Sequence, residues 1–522
     1  MRGWAAVIVA GWAMLVGTPA AAEWREASSD HFLIYADSSE AWLRKFADRL
    51  ERFDAGMRVL RGLGEVEGAK SNRLTIYAVS DQAAIEKLYG QRGSNVGGFY
   101  VPRAGGSIAF TPRGGYNDDF ADVVLFHEYG HHFMLENYPA AYAKWFIEGF
   151  AEFHSTFAVE RKDDAISFGR VAQHRAYGLM LQTPIPIETL LDPRGKTSSN
   201  AQMDVFYGRA WLLTHMLTFE KARSGQLSTY LRLINAGKPS LDAAREAFGD
   251  LKTLQNDMNR YRDKRSFTGL RIDPSAIKTG PITIRTLTRG EADTMQVRMR
   301  SDRGVDAKAA AALLPEARRK AAPYPTDAGA QTVLAEAEYD AGNDAEAEAA
   351  ADRALAVNPK LRDALLYKGR AMLRRAQTAK TADPAAWKAA RRWFVTANRN
   401  DPDAAEPLML FYLSFLTADE TPTKSAALGL ERAFDLSPHD ASLRIMLVRQ
   451  LLIDKRTKEA REILLPLAND PHANSEDNFA ARVLTKIDAG TDGPDVVKAI
   501  DDEQAETLKN GKSPAPADAD DQ

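Results

Sequence analysis

Hydrophobic and polar positions change rhythm several times along this chain. The stretches DHFLIYA (30–36) and RLTIYAV (73–79) alternate and are rich in β-branched and aromatic residues, so each predicts a strand. Between them EAWLRKFADRLERFDAGMRVLRGL (40–63) repeats its apolar positions every three or four residues, which predicts a helix. GGFYVPRAGGSIAF, starting at 97, predicts two short strands about a glycine-rich turn. Residues 23–115 therefore read as a small α/β lobe, and residues 116–265 as an almost wholly helical one. TGPITIRTLTRGEADTMQVRMR (279–300) reads as extended or β-like, inside a connector spanning 266–320.

Beyond the connector alanine dominates and the helical rhythm returns. AQTVLAEAEYDAGNDAEAEAAADRALAVNP (330–359) resembles a tetratricopeptide unit in its placing of Leu334, Ala335, Gly342, Ala347, Ala354 and Pro359. Helix-ending prolines recur at Pro359, Pro402, Pro438 and Pro471, 43, 36 and 33 residues apart, around a unit of about 34. The unit ending at Pro402 carries an insertion near RRAQTAKTADP. A generic helical bundle is the alternative to repeats over 321–475. Residues 476–522 read as a terminal helix and a Pro-rich, acidic, disordered tail.

The first 22 residues follow another logic. Arg2 precedes an apolar run, WAAVIVAGWAMLVG (4–17), and Ala20 and Ala22 fit cleavage before Glu23. The run is shorter than the roughly 20 residues a membrane helix needs. A cleaved signal peptide, a periplasmic or secreted chain and no stable membrane insertion are expected; an uncleaved anchor is the alternative. The chain has no cysteine, which excludes disulfides and thiolate ligands and leaves any metal to His, Asp or Glu. At 522 residues it is too long for one core, and its net charge of −3 gives no general pull toward nucleic acid.

The chemistry concentrates in FHEYGHHFMLENYPAAYAKWFIEGFAEF (126–153). DFADVVLFHEYGHHFMLE (119–136) sustains a helix, on which positions four apart share a face. His127 and His131 then point the same way, the H-E-x-x-H arrangement in which two imidazoles bind one Zn²⁺. Glu128 is turned about a quarter of a revolution and can take a proton from water at the metal. Pro139 turns the chain into a second helix, AKWFIEGFAEFHSTF (143–157), with Glu148 and Glu152 on one face. Glu148 is the natural third ligand, and Glu152 can orient a ligand imidazole. Gly149 would let the two helices approach closely. Ordinary packing helices with scattered polar residues are the alternative. His132 is rotated off the ligand face and His154 points elsewhere. Met134 and Asn137 stand where a metzincin has Gly and His.

HEYGHH…WFIEGFAEF resembles the gluzincin metallopeptidases, most closely the bacterial peptidase MA-like proteins, over residues 25–265 and specifically at His127, Glu128, His131, Glu148 and Gly149. The resemblance implies an α+β lobe with an edge strand, a helical zincin lobe, zinc as cofactor and a peptide or protein substrate. DVFYGRAWLLTHML (204–217) resembles a later helix of that family. It makes Tyr207 the candidate for stabilising the oxyanion, with core packing as its alternative. The 16 residues between His131 and Glu148 and the missing Gly-x-Met-Glu-Asn motif depart from better-studied relatives. SIAFT (107–111) is expected to pair with an extended peptide. The repeats are expected to bind a protein partner and add nothing to the chemistry, so a chain ending near 305 should still cleave short peptides. The rival reading is a non-catalytic binding or assembly protein of the cell envelope with a vestigial zincin domain.

Overall fold

A computed structural model describes residues 23–64, 69–90, 96–113, 118–138, 140–193, 200–469, 478–491 and 493–509. The expected signal segment, Pro139, Pro471 and the acidic tail lie outside them.

The N-terminal lobe is built on a six-stranded mixed sheet. Its strands are β1 (Trp24–Ser28), β2 (Phe32–Asp37), β3 (Leu74–Val79), β4 (Phe99–Val101), β5 (Ile108–Pro112) and β9 (Thr283–Thr286), in the order β4-β5-β3-β2-β1-β9. β3 runs parallel to both β2 and β5, and the other pairings are antiparallel. Alternation along the strands divides the side chains between two cores. Ile34, Ile76, Tyr100 and Ala109 face one layer, and Tyr35, Tyr77, Phe99 and Phe110 the other. Helix α1 (Glu40–Arg61) is started by Ser39, whose hydroxyl accepts from Trp42 N, and stopped by Gly62 at φ 64°. It packs on the first face with residues of the helices that follow the sheet. Helix α2 (Gln82–Tyr89) lies on the second.

Eight helices follow the sheet: α3 (Asp118–Asn137), α4 (Lys144–Ser155), α5 (Ala176–Met180), α6 (Ile187–Leu191), α7 (Asn200–Phe219), α8 (Gln226–Asn235), α9 (Ser240–Phe248) and α10 (Leu251–Arg262). This stretch is not wholly helical. β6 (Ala158–Val159), β7 (Ile166–Phe168) and β8 (Leu270–Ile272) form a second, three-stranded sheet. Strands of two or three residues are too short to carry a period.

The β-like reading of the connector holds at β9 and is corrected beyond it. β9 pairs with β1 across more than 250 residues, and 289–302 is helical, α11 (Arg289–Asp302). Met295 and Met299 of α11 enter the core on the sheet's second face, while Val297 enters the core of the helices beyond. A helix buried on two sides places apolar residues at alternate positions, which imitates a strand. Its N-terminus carries a full capping box, Thr288 with Glu291.

Helix pairs make up the rest of the described chain. α11 packs with α12 (Ala307–Ala321), α13 (Ala328–Asp340) with α14 (Asp344–Val357), and α15 (Arg362–Thr378) with α16 (Pro384–Asn400). α17 (Ala405–Thr417) then packs with α18 (Lys424–Leu436), α19 (Ala441–Ile453) with α20 (Thr457–Ala468), and α21 (Phe479–Asp488) with α22 (Gly493–Lys509). The insertion lengthens α15 and α16 to 17 residues each, against 13 in α13, α17 and α18. Pairs thus begin before 321 and continue after 475. No helix of the described residues is long and apolar enough to cross a membrane.

Candidate metal centre

α3 follows directly from β5, through residues outside those described, and is buried on every side from Val124 to Met134. Full burial explains why its apolar residues do not form a single stripe. α4 crosses it at Gly130, where a Cβ would lie 3.1 Å from Ala151 Cα. Gly149 serves a different contact from the one expected. A Cβ there would meet Thr214 Oγ1 at 2.2 Å and Ala210 O at 2.6 Å, so it seats α4 on α7.

These crossings bring His127, His131 and Glu148 together, all buried. His127 Nε2 lies 3.0 Å from His131 Nε2 and 3.4 Å from Glu148 Oε2, and His131 Nε2 is 3.5 Å from that same oxygen. Ligands about 2.05 Å from a tetrahedral zinc stand about 3.3 Å apart. The donor triangle therefore has the size and the N/N/O chemistry for zinc. Glu128 is buried on α3 beside the cluster.

Glu152 lies one turn on from Glu148 and is fully buried. Its Oε1 is 3.1 Å from His127 Nδ1, the ring nitrogen turned away from the triangle. Arg175 donates to the same oxygen from Nη2 at 2.6 Å and Nε at 3.1 Å, while His174 Nε2 lies 2.8 Å from Oε2. Burial alone would raise the Glu152 pKa; Arg175, then the hydrogen bonds with His127 and His174, hold it well below the usual range. Burial likewise presses the His127 pKa down, but Glu148 and Glu152 outweigh it and lift the imidazole to about 10. The carboxylates of Glu148 and Glu152 thus favour a positive charge at His127.

Tyr207, on α7, sets its ring edge-on to His127 at 5.9 Å, with the Arg175 guanidinium 4.8 Å over its face. His174 and Arg175 were not anticipated. They sit in a single helical turn before α5, with no motif spacing to α4. His154 donates from Nδ1 to Phe150 O at 2.7 Å and stays out of the cluster. His132 faces the rear of α3. Its Nδ1 is hydrogen-bonded to Tyr100 OH at 2.8 Å, and its ring lies 4.8 Å from that of His439. Burial lowers both of these histidines to about 3. SIAFT is not an open edge: β5 lies between β3 and β4, and the edge strand beside it is β4. No side remained for a peptide along Ile108–Phe110, because the segment before the glycine-rich turn folds back as β4.

No family model matches the chain, and no curated protein matches it. Among solved structures it is similar to a chain described as "MamA RS-1 ArsTM double mutant", at 17% identity and a TM-score of 0.26, over 34% of this chain and 91% of that one. A TM-score that low does not establish a shared fold.

Proposed function

We propose that this chain is an exported zinc-dependent metallopeptidase that hydrolyses peptide bonds, with a tetratricopeptide-like arm. The observation that carries the reading is the closed donor triangle of His127, His131 and Glu148, backed at His127 Nδ1 by the Glu152 carboxylate. A purely structural zinc site closes its fourth position with a protein ligand, whereas a catalytic one has three protein ligands and leaves the fourth open. When bound, zinc supplies Lewis acidity toward the substrate carbonyl and makes water acidic enough to be a nucleophile at neutral pH.

The protein's own groups do the rest. Glu128 takes a proton from the attacking water and returns it to the leaving amine. Glu152, fixed by Arg175 and His174, keeps the proton of His127 on Nδ1, so that Nε2 offers its lone pair to the metal. Tyr207 donates to the oxyanion as negative charge develops. The zincin lobe is α3 with α4 and α7, and the substrate is a peptide or protein. Export rests on the signal-like residues 1–22, and the arm is a surface for protein recognition.

Zinc content and peptide hydrolysis measured on one purified sample test this reading. One zinc per chain with cleavage of a mixed peptide library supports it. One zinc with no cleavage favours the rival, a binding protein with a vestigial site, and no zinc overturns the ligand assignment.

A further inference from the structure

The glycine-rich turn between β4 and β5 is not open to solvent. Ala104 is 2% exposed and belongs to the same apolar cluster as Ala405, Tyr412 and Leu443 of the arm. Its backbone N donates to Asp440 Oδ2 at 2.8 Å, while the other carboxylate oxygen of Asp440 caps α19 by accepting from Leu443 N at 2.6 Å. A Cβ on Gly105 would stand 2.6 Å from Glu406 Oε2, in the first turn of α17. A second turn of the lobe docks close by in sequence on the arm. Asn72 donates to Asp403 O at 2.7 Å and accepts from Ala405 N at 3.0 Å.

The docked turn continues to the metal helix. Arg103 N donates to Ser107 Oγ at 3.3 Å. Tyr100 OH donates to the same oxygen at 2.8 Å and is hydrogen-bonded to His132 Nδ1 at 2.8 Å. His439, in the α18–α19 turn and 6% exposed, closes the circuit by packing its ring on His132. His132 is the next residue after His131.

We infer that the helical arm is a working part of the metal centre: its α18–α19 turn clamps the β4–β5 turn and the rear of α3, and His439 is a positioning residue for the His127–His131 helix. The effect on metal rests on the zinc reading above; the clamp itself does not. A helix buried on all sides has no freedom to settle on its own. Its register against β4 is set by whatever fills the space behind His132, and here that is the arm. The starts of α17 and α19 are thus covered by the chain's own turn. A cut near residue 305 would keep β9 and α11 but uncover Ala104 and His132, so the expected independence of the catalytic lobe is replaced by dependence on the arm.

The full chain is compared with H439A and D440A on the arm side, Y100F on the lobe side, and R375A as a control at a surface pair within the arm, Arg375 with Glu348. Amide hydrogen exchange reads the clamp directly. H439A, D440A and Y100F should each speed exchange in 124–137 by about tenfold or more, and R375A should not. With zinc, the first three should bind about 10- to 100-fold more weakly. The visible bands of the cobalt-substituted H439A chain should shift, which loss of global stability alone would not produce. If Y100F folds normally and leaves 124–137 unchanged, the inference falls, whatever H439A does. If the exchange shifts appear but the parent chain binds no zinc, the clamp stands and the metal reading fails.

Discussion

The helices of the lobe and the first helix pairs of the arm pack by different means. Around α3, α4 and α7 the core is aromatic: Phe53, Phe126, Phe157 and Phe168 meet ring to ring, and Trp145 and Trp211 are fully buried. In α14 of the arm alanine fills the same role, with Ala347, Ala350, Ala351 and Ala354 all at 0% exposure. Small residues let helices approach closely and suit a repeated pair. Large rings fix a few helices in one arrangement, and they can enclose charge. Glu148, Glu152, His127 and His131 are all enclosed there. The two regions thus divide precision from repetition, and they meet at His132 and His439.

The most severe test of that division removes a ligand. His127→Ala, His131→Ala or Glu148→Ala should lose zinc outright, by metal analysis, while circular dichroism of the alanine-packed arm stays unchanged. Glu128→Gln should keep zinc and lose about 10²- to 10⁴-fold in turnover, because the amide fills the space without accepting a proton. Near-normal turnover would remove Glu128 from the mechanism. Tyr207→Phe should cost up to about 10²- to 10³-fold in kcat with KM nearly unchanged, as a donor used only in the transition state does. An unchanged kcat would return Tyr207 to packing beside His127. Glu152→Ala should be milder in zinc affinity, about 10- to 100-fold. If Glu152→Ala lost zinc and Glu148→Ala did not, the two glutamates would have exchanged roles.

How much of this was legible in the sequence depended on distance along the chain. His127 and His131 are one helical turn apart, so their common face follows from the helix period alone, and the same holds for Glu148 and Glu152. The strands β2, β3, β4 and β5 and the helix α1 were legible because each carries its own rhythm. What failed depends on contacts between distant segments. Arg175 and His174 reach Glu152 from a turn without a period. β9 joins β1 by a pairing that no local pattern announces, and α11 hid because two cores claim its alternate residues. Gly149 was noticed for close approach, but only the fold reveals that its neighbour is α7. The docking of Ala104 into the arm had no signature, since glycine-rich turns are ordinarily exposed.

The smallest effect concerns the charges that brace α3 from behind. His31 Nδ1 lies 2.9 Å from Glu51 Oε2 and its Nε2 3.5 Å from Asp54 Oδ2, while Asp54 also accepts from Arg58 Nε at 2.7 Å and from Tyr129 OH, on α3, at 2.8 Å. Burial lowers the His31 pKa, but Asp54 and then Glu51 outweigh it and raise the imidazole from 6.5 to about 9. A group whose pKa rises on folding stabilises the protein fully below its unfolded value and loses that contribution as pH climbs through the folded value. The bracing is therefore complete below about pH 6.5 and fades toward pH 9. At 1.36 kcal/mol per pKa unit it amounts to roughly 3 kcal/mol. Glu51 titrates in the opposite sense: its pKa is lowered, with burial opposing and the hydrogen bond with His31 prevailing, so its share disappears as the solution becomes acid. Ion pairs of the arm such as Arg461 with Asp488 and Arg456 with Glu459 lie nearer the surface, where salt bridges contribute little. Between pH 6 and pH 9.5 the parent chain should lose about 3 kcal/mol more of lobe stability than His31→Gln, read from hydrogen exchange of the α1 and α3 amides at saturating zinc. The arm amides far from the junction should change equally in both chains. Identical pH profiles for α3 in the parent and His31→Gln would mean that the buried charges behind α3 carry no net bracing, and that the aromatic core holds it alone.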